Sequence, residues 1–381
     1  MKILLSTDFY DTAVNGVVTS VVTLKKSLEK RGHEVRVLTL SESHHSFRKG
    51  DIIYIGSVSA AAVYPGARVR TALAQSIIRE TIAWKPDVVH SNCEFSTFMI
   101  AKHIAQKCHV PFIHTYHTVY EDYYRYIIPF EHLGLSAVKV FSRTTANDSD
   151  CVICPTEKVS KLLKGYGVKV PLAIVPTGID EEKYAGAASS SRKGFIRKQF
   201  GIPENCTILL TLGRLGLEKN HKELIDYLGR IDRKDVCLII VGDGPAREGL
   251  EEQTRALGLE RRVFFTGMVK PENTPAYYAE GDVFVSASTS ETQGLTYVEA
   301  AMTGLPLLCR KDPCLEGVVE NGVNGWQYET EEDFRNHLEE YLAMTPGQRA
   351  ELGMKSKEIA HKYSSDVFAE KVEAIYKEYM K

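Results

Sequence analysis

The stretch Asp282-Val283-Phe284-Val285-Ser286-Ala287-Ser288-Thr289-Ser290-Glu291-Thr292-Gln293-Gly294-Leu295-Thr296-Tyr297-Val298-Glu299-Ala300 decides the fold. It opens with a short run, mostly apolar, rich in Val and Phe, the pattern of a strand buried on both faces. A polar loop with one glycine follows, and then a helical run, Thr296 to Met302. The same strand-loop-helix unit recurs on both sides of it. Downstream lie LPLLCR (from Leu305) and GWQY (from Gly325). Upstream lie CTILLTLGR (from Cys206), VCLIIVGDG (from Val236) and RVFFTG (from Arg262), with a helical run from Pro245 to Leu257.

The first half of the chain has its own series. KILLSTD (from Lys2), EVRVLTL (from Glu34), DIIYIGS (from Asp51), DVVHSN (from Asp87), PFIHTYH (from Pro111), CVICPT (from Cys151) and LAIVPTG (from Leu172) read as strands. Val18 to Arg31, stopped by Gly32, and Ala67 to Trp84 read as helices. Between the two series, Ile179 to Asn205 includes the run Ala185-Gly186-Ala187-Ala188-Ser189-Ser190-Ser191 and is the best linker candidate. Within it Gly194 to Phe200 reads as a short helix.

Alternation of this kind predicts an α/β protein of two doubly wound, Rossmann-like domains with parallel sheets, facing each other across a cleft. The expected boundaries are 1–178 and 179–365, with a last amphipathic helix at 366–381 packing back on the first domain. The length of 381 residues suits two domains. Forty-seven basic against 49 acidic residues leave a formal charge of −2, which gives no global reason to bind nucleic acid. No apolar run approaches the roughly 20 residues of a membrane helix. Met1 to Asp8 reads as a first strand of a cytosolic protein rather than a signal peptide. The eight cysteines mostly sit in apolar runs and read as reduced, buried thiols. Cys151 and Cys154 form a CxxC inside a strand, where i and i+3 face opposite ways, so it does not read as a zinc site.

Several residues could carry chemistry. Thr292, Gln293, Gly294 and Leu295 stand at a helix N-terminus, where backbone N–H groups can hold an anion. Glu291 and Glu299 are eight apart. Glu299 is suited to grip a ribose diol and Glu291 to sit nearer a reacting group; alternatively Glu291 caps the helix and Glu299 is solvated. Gly213, Arg214 and Lys219 follow a strand, and the two cations can clamp a diphosphate leaving group, or else are solvated loop residues. Asp8, Asn15 and Gly16 follow the first strand and make either a phosphate loop or a plain turn. Gly242-Asp243-Gly244-Pro245 reads as a turn with proline in the first helical turn. His117 ends its strand, where it can meet a substrate. Tyr120, Tyr123 and Tyr126, with the acids and Arg125 among them, line an acceptor pocket or a surface helix. The DxD at Asp148 to Asp150 lies at the wrong end of its strand for a ligand site. HExxH, Walker A and GxSxG patterns are absent.

Taken together, the two glutamates, the Gly213/Arg214/Lys219 cluster and the Asn15-Gly16 loop resemble the retaining GT-B glycosyltransferases of family 4. The likeness runs from TDFYDTAVNGVVTS to NGVNGW. HTYHTVYEDY (from His114) and ETQGLTY (from Glu291) look most like bacterial diacylglycerol glucosyltransferases. The resemblance implies a hexosyltransferase using a UDP-sugar, UDP-glucose first, held mainly by the second domain, with no metal and retention of the α configuration. Arg214 and Lys219 would bind the diphosphate, Glu299 the ribose, Glu291 with the amides after it the sugar, and Gly267-Met268-Val269 the base. Gly16 and His117 would complete the site. The acceptor would be a diacylglycerol-type lipid, or alternatively a polysaccharide or other glycan precursor. Family members acting on lipids grip anionic membranes with a basic helix. Here Leu133 to Asn147 offers only Lys139 and Arg143, at roughly 1 kcal/mol each, with Lys25, Lys26, Lys30 and Arg31 on the first helix to add to them. The expected place is the cytoplasm, peripheral on the inner face of the membrane. An epimerase on the same architecture and a non-catalytic subunit that binds a sugar nucleotide are the other readings.

Overall fold

The computed structural model describes residues 1–10, 15–60, 67–71, 74–122, 131–186 and 194–380. It divides into two compact units, 1–178 with 365–381, and 179–364.

The first unit runs β1 (Lys2–Ser6), α1 (Gly16–Lys30), β2 (Glu34–Leu40), β3 (Phe47–Lys49), β4 (Ile52–Ile55), β5 (Ser57–Ser59), β6 (Arg68–Arg70), α2 (Gln75–Ala83), β7 (Val88–Ser91), α3 (Ser96–Cys108), β8 (Phe112–Thr115), α4 (Glu131–Asn147), β9 (Cys151–Cys154), α5 (Glu157–Gly165) and β10 (Leu172–Ile174). Eight strands form one sheet in the order β10-β9-β8-β7-β1-β2-β4-β3, parallel except for the edge strand β3. Successive residues of β1 point to opposite faces. Ile3 and Leu5 pack with Val21, Leu24 and Leu28 of α1, whereas Leu4 packs with Phe98, Ala101 and Ile104 of α3.

The second unit runs α6 (Glu181–Ala185), α7 (Phe195–Phe200), β11 (Thr207–Leu212), α8 (His221–Arg230), β12 (Val236–Val241), α9 (Arg247–Ala256), β13 (Val263–Gly267), α10 (Thr274–Tyr278), β14 (Val283–Ser286), α11 (Leu295–Thr303), β15 (Leu307–Arg310), β16 (Gly325–Tyr328), α12 (Glu331–Ala343) and α13 (Pro346–His361). Its six strands are all parallel, in the order β13-β12-β11-β14-β15-β16. Ile208 and Leu210 face α11, and Leu209 faces α8, so both sides of the sheet are covered. The parallel sheets follow from the buried Val- and Ile-rich runs.

A final helix, α14 (Ser365–Tyr379), belongs to the first unit. Phe368, Ala369, Val372 and Tyr376 join the core beneath α1. Its polar ties are specific. His90, in the middle of the sheet, hydrogen-bonds Tyr376 Oη at 2.6 Å through Nδ1 and Thr115 Oγ1 at 2.7 Å through Nε2. The Glu373 carboxylate accepts from Arg31 Nε at 2.5 Å and pairs with Lys377.

Three sequence expectations need correction. Ala67 to Trp84 is not one helix: Arg68–Arg70 is strand β6, paired antiparallel to β5, and the helix starts at Gln75. Arg68 explains the difference, because its guanidinium bonds the Ser41 and Glu42 carbonyls and Ser57 Oγ. The linker candidate is core at both ends. Ile179, Tyr184, Ile196 and Ile202 are buried in the second unit, and Glu280 accepts from Gly194 N and Ile196 N. Its Ala187–Ser191 part lies outside the described residues. Pro245 is not in the first turn of α9, which begins at Arg247. The eight cysteines are free, and Cys151 and Cys154 point into two different clusters. Asp148 and Asp150 of the DxD are engaged by Lys102 and the Phe112 N–H.

Cations beside Glu373 hold its carboxyl down at about 2, below the usual range near 4.3. Its contribution to stability is therefore full above the unfolded value and is lost as pH falls from about 4.5 towards 2. Glu373→Gln should cost about 2 kcal/mol at pH 7. Thermal midpoints of the two proteins should differ at pH 7 and converge towards pH 2; a constant gap would contradict the assignment.

Candidate active site

Strand order places the site. From β11 the chain winds outward through β12 and β13, then returns to lay β14 on the other side of β11. Loops after neighbouring strands that wind in opposite directions diverge, and leave a crevice at the carboxyl ends. The loops after β11 and β14 therefore frame the candidate site, and the sequence motifs sit on them.

After β11 come Gly213 to Gly216 and a 3-10 turn, Leu217–Lys219. Leu215 is fully buried and pins this loop to the core. Gly242 follows β12 with φ 138°, and a Cβ there would lie 1.9 Å from the Gly213 carbonyl oxygen. Only glycine permits the two loops to abut. Arg214, 44% exposed, is paired to Glu218, whose side chain is only 8% exposed. Lys219 Nζ meets Glu291 Oε1 at 2.5 Å, and Ser290 Oγ donates to the Glu218 carbonyl at 3.3 Å. An ion pair and a hydrogen bond thus join the loops after β11 and β14. Burial and the neighbouring Lys219 lower His221 to about 4, so it stays neutral here.

Gly294 precedes α11 with φ 75°. A Cβ on it would come within 2.3 Å of the Tyr297 ring, itself buried and bonded to Ser286 Oγ at 3.0 Å. α11 starts at the end of the loop that follows β14, and its first turn carries no acid to offset the positive end of its dipole. Gln293 is buried; Thr292 and Leu295 are half-buried. Glu291 is not the cap of α11, since Gly294 holds that position and Glu291 is paired with Lys219. Glu299 is not a solvated helix residue either. It accepts from Tyr278 Oη at 2.7 Å and from Tyr184, and burial raises its carboxyl while the two hydroxyls lower it. Met268, 75% exposed, follows β13, two strands from β11.

In the first unit, His117 lies two residues beyond β8 and donates through Nε2 to Asn92 Oδ1 at 3.0 Å. Burial, then the nearby His114, lower it to about 3. A neutral imidazole with Nδ1 as acceptor suits a hydroxyl better than a phosphate. Gly16 is the first residue of α1, and Asn15 Oδ1 caps that helix by accepting from Val18 N at 2.9 Å. Asp8 likewise acts as a cap, accepting from the Ser96 and Thr97 N–H groups of α3. Tyr120 donates to Glu94 Oε2 at 2.5 Å and packs on Phe95 and Phe141. Tyr123 and Tyr126 lie outside the described residues. Gly213, Arg214, Lys219, Glu291 and residues 292–295 are therefore brought to one crevice. Glu299 lies one turn and more along α11.

Glu218, Tyr184 and Tyr278 were not singled out in the sequence. Glu218 stands beside Lys219 in a loop, and no periodicity marks it. Tyr184 stands in the stretch that composition reads as linker. Among the described residues no group of three or more His, Cys, Asp or Glu is placed to hold a metal ion.

Sequence comparison bears directly on this geometry. The Glycosyltransferase Family 4 domain matches residues 14–183, and the Glycosyl transferases group 1 domain matches residues 192–376. An alpha-monoglucosyldiacylglycerol synthase of Streptococcus pneumoniae is 37% identical over 91% of this chain and 79% of its own. The chain belongs to glycosyltransferase family 4. A second alpha-monoglucosyldiacylglycerol synthase, from Acholeplasma laidlawii, is 30% identical over 99% of this chain and 96% of its own. The crystal structure of Anabaena HepE with UDP and glucose superposes with a TM-score of 0.76 at 19% identity, covering 99% of this chain and all of that one, and shows the shared GT-B fold. Family membership sets aside the epimerase reading.

Gly294→Ala should lower the stability of the second unit by about 1–3 kcal/mol, because φ is positive and the ring of Tyr297 occupies the Cβ position. A thermal scan reads it; an unchanged midpoint would contradict the crowding at Gly294.

Proposed function

We propose that the chain transfers glucose from UDP-glucose to diacylglycerol, with retention at the anomeric carbon and without a divalent metal. The observation that carries this reading is the crevice between β11 and β14, where Arg214, Lys219 and the N-terminus of α11 converge. A departing nucleoside diphosphate develops charge on its terminal phosphate, and two cations with a helix N-terminus neutralise it. They take the place that a metal ion has in other transferases.

In this reading the donor diphosphate takes Lys219 from Glu291 and Arg214 from Glu218. Glu291 is then released toward the sugar hydroxyls, together with the amides of residues 292–295. Glu299 holds the ribose and the base lies near Met268. His117, neutral, accepts from a sugar hydroxyl. Gly16 opens the helix that follows the first strand, and Tyr120 lies on the acceptor side.

The two synthases that match most of the chain support the acceptor assignment. So does an apolar surface on the first unit. Phe95, 53% exposed, stacks on Phe141 of α4 at 5.5 Å, Met99 of α3 and Val140 of α4 are exposed, and α4 also carries the exposed Lys139 and Arg143. Exposed aromatic and apolar side chains on elements that also carry two cations suit peripheral attachment to an anionic bilayer and access to a lipid. No described helix is long and apolar enough to cross a membrane.

The test is UDP release from UDP-glucose in EDTA, with and without diacylglycerol in anionic vesicles. Release should require the lipid and persist in EDTA. In the same assay Lys219→Ala should lose about 100-fold in rate with an unchanged melting curve. Donor binding without lipid-dependent release would contradict the acceptor; full activity in Lys219→Ala would contradict the clamp.

A further inference from the structure

Lys183 and Tyr184 belong to α6, in the stretch whose composition reads as a linker. Tyr184 is buried, with its ring edge on Tyr278 at a centroid distance of 6.1 Å. Lys183 Nζ lies 3.3 Å from the Tyr184 hydroxyl and can only donate to it. The hydroxyl must send its own proton elsewhere, and its other neighbours are Glu299 and Thr274. The Thr274 hydroxyl sends its proton to the Pro271 carbonyl, and of the two acceptors left to Tyr184 the Glu299 carboxylate is the stronger. From α10, Tyr278 donates to Glu299 Oε2 at 2.7 Å. Two tyrosines on two helices therefore grip one carboxylate, and an exposed lysine backs one of them.

A carboxylate offers about four acceptor positions, and the tyrosines use two. Glu299 is half-buried, so part of it faces outward. A glutamate free to rotate would lose conformational entropy on each binding event, and one held in place would not. We propose that Tyr184, backed by Lys183, and Tyr278 are positioning residues that aim the Glu299 carboxylate at the vicinal hydroxyls of a nucleotide ribose. The proposal rests on the reading of this crevice as a nucleoside-diphosphate site. Burial works against a charged Glu299, and the hydroxyls and Lys183 work for it.

Calorimetric titration of the full chain with UDP and with 2′,3′-dideoxyuridine diphosphate tests it. The unmodified chain should prefer UDP by at least about tenfold, the value of one hydrogen bond to a charged group. Glu299→Gln should abolish most of that preference. Tyr184→Phe and Tyr278→Phe should cut it to about threefold or less while leaving affinity for the dideoxy nucleotide within about twofold. Lys183→Met, on an exposed side chain, should cut it in the same direction without touching the packing. If the unmodified chain or Glu299→Gln shows no effect of the ribose hydroxyls, the ribose assignment of Glu299 fails, and the proposal with it. If Glu299→Gln loses the preference but both Phe variants and Lys183→Met keep it, the positioning role alone is overturned. Equal weakening of both nucleotides in the Phe variants would show packing only, and also overturns it.

Discussion

The pairing of β14 with β11 is the constraint on which the site depends. Leu209 and Leu210 stand opposite Val283 and Phe284, and this register sets how far apart the two following loops begin. Across the gap Lys219 meets Glu291, and Ser290 meets the Glu218 carbonyl. Arg214 is held by Glu218 on the same side. Arg214 and Lys219 thus each have a carboxylate partner. Charges kept in this way are preorganised without being left unsatisfied. A diphosphate carries the charge needed to replace both carboxylates.

Close backbone approach supports this arrangement. Gly242 permits the β12 loop to lie against Gly213, and Gly294 permits α11 to start beneath the ring of Tyr297. Leu215 anchors the loop after β11 in the core. The first unit is built on the same plan, with polar groups doing the joining. Asp8 ties β1 to the start of α3, and His90 ties the sheet to Tyr376 of α14. Buried polar groups of this kind are costly unless satisfied, so they fix one arrangement of the elements.

Much of the fold was legible because buried parallel strands are nearly uniform in composition. Each of the thirteen quoted strand runs contains an observed strand, and the short antiparallel strands β3, β5 and β6 were missed. Those three residues apiece carry no period that a reading could detect, and β6 is held by the guanidinium of Arg68 rather than by its apolar residues. Arg214, Lys219, Glu291 and Gly294 were legible because strand-end loops are where α/β sheets bind ligands. Their partners were not. Glu218 and Tyr184 act through contacts between distant segments, and a run of Ala, Gly and Ser hid the buried Tyr184 beside it. Asn15 and Asp8 show the opposite case, since residues read as a phosphate loop also serve as helix caps.

A crystal structure of the chain with UDP would show whether the diphosphate displaces the Glu218 and Glu291 carboxylates. The diphosphate should lie in the crevice between the loops after β11 and β14, with oxygens within hydrogen-bond distance of Arg214, Lys219 and the backbone N–H groups at the start of α11. Lys219 should then have exchanged Glu291 for phosphate. A diphosphate bound elsewhere, or bound with the Lys219–Glu291 pair intact and Arg214 uninvolved, would contradict it.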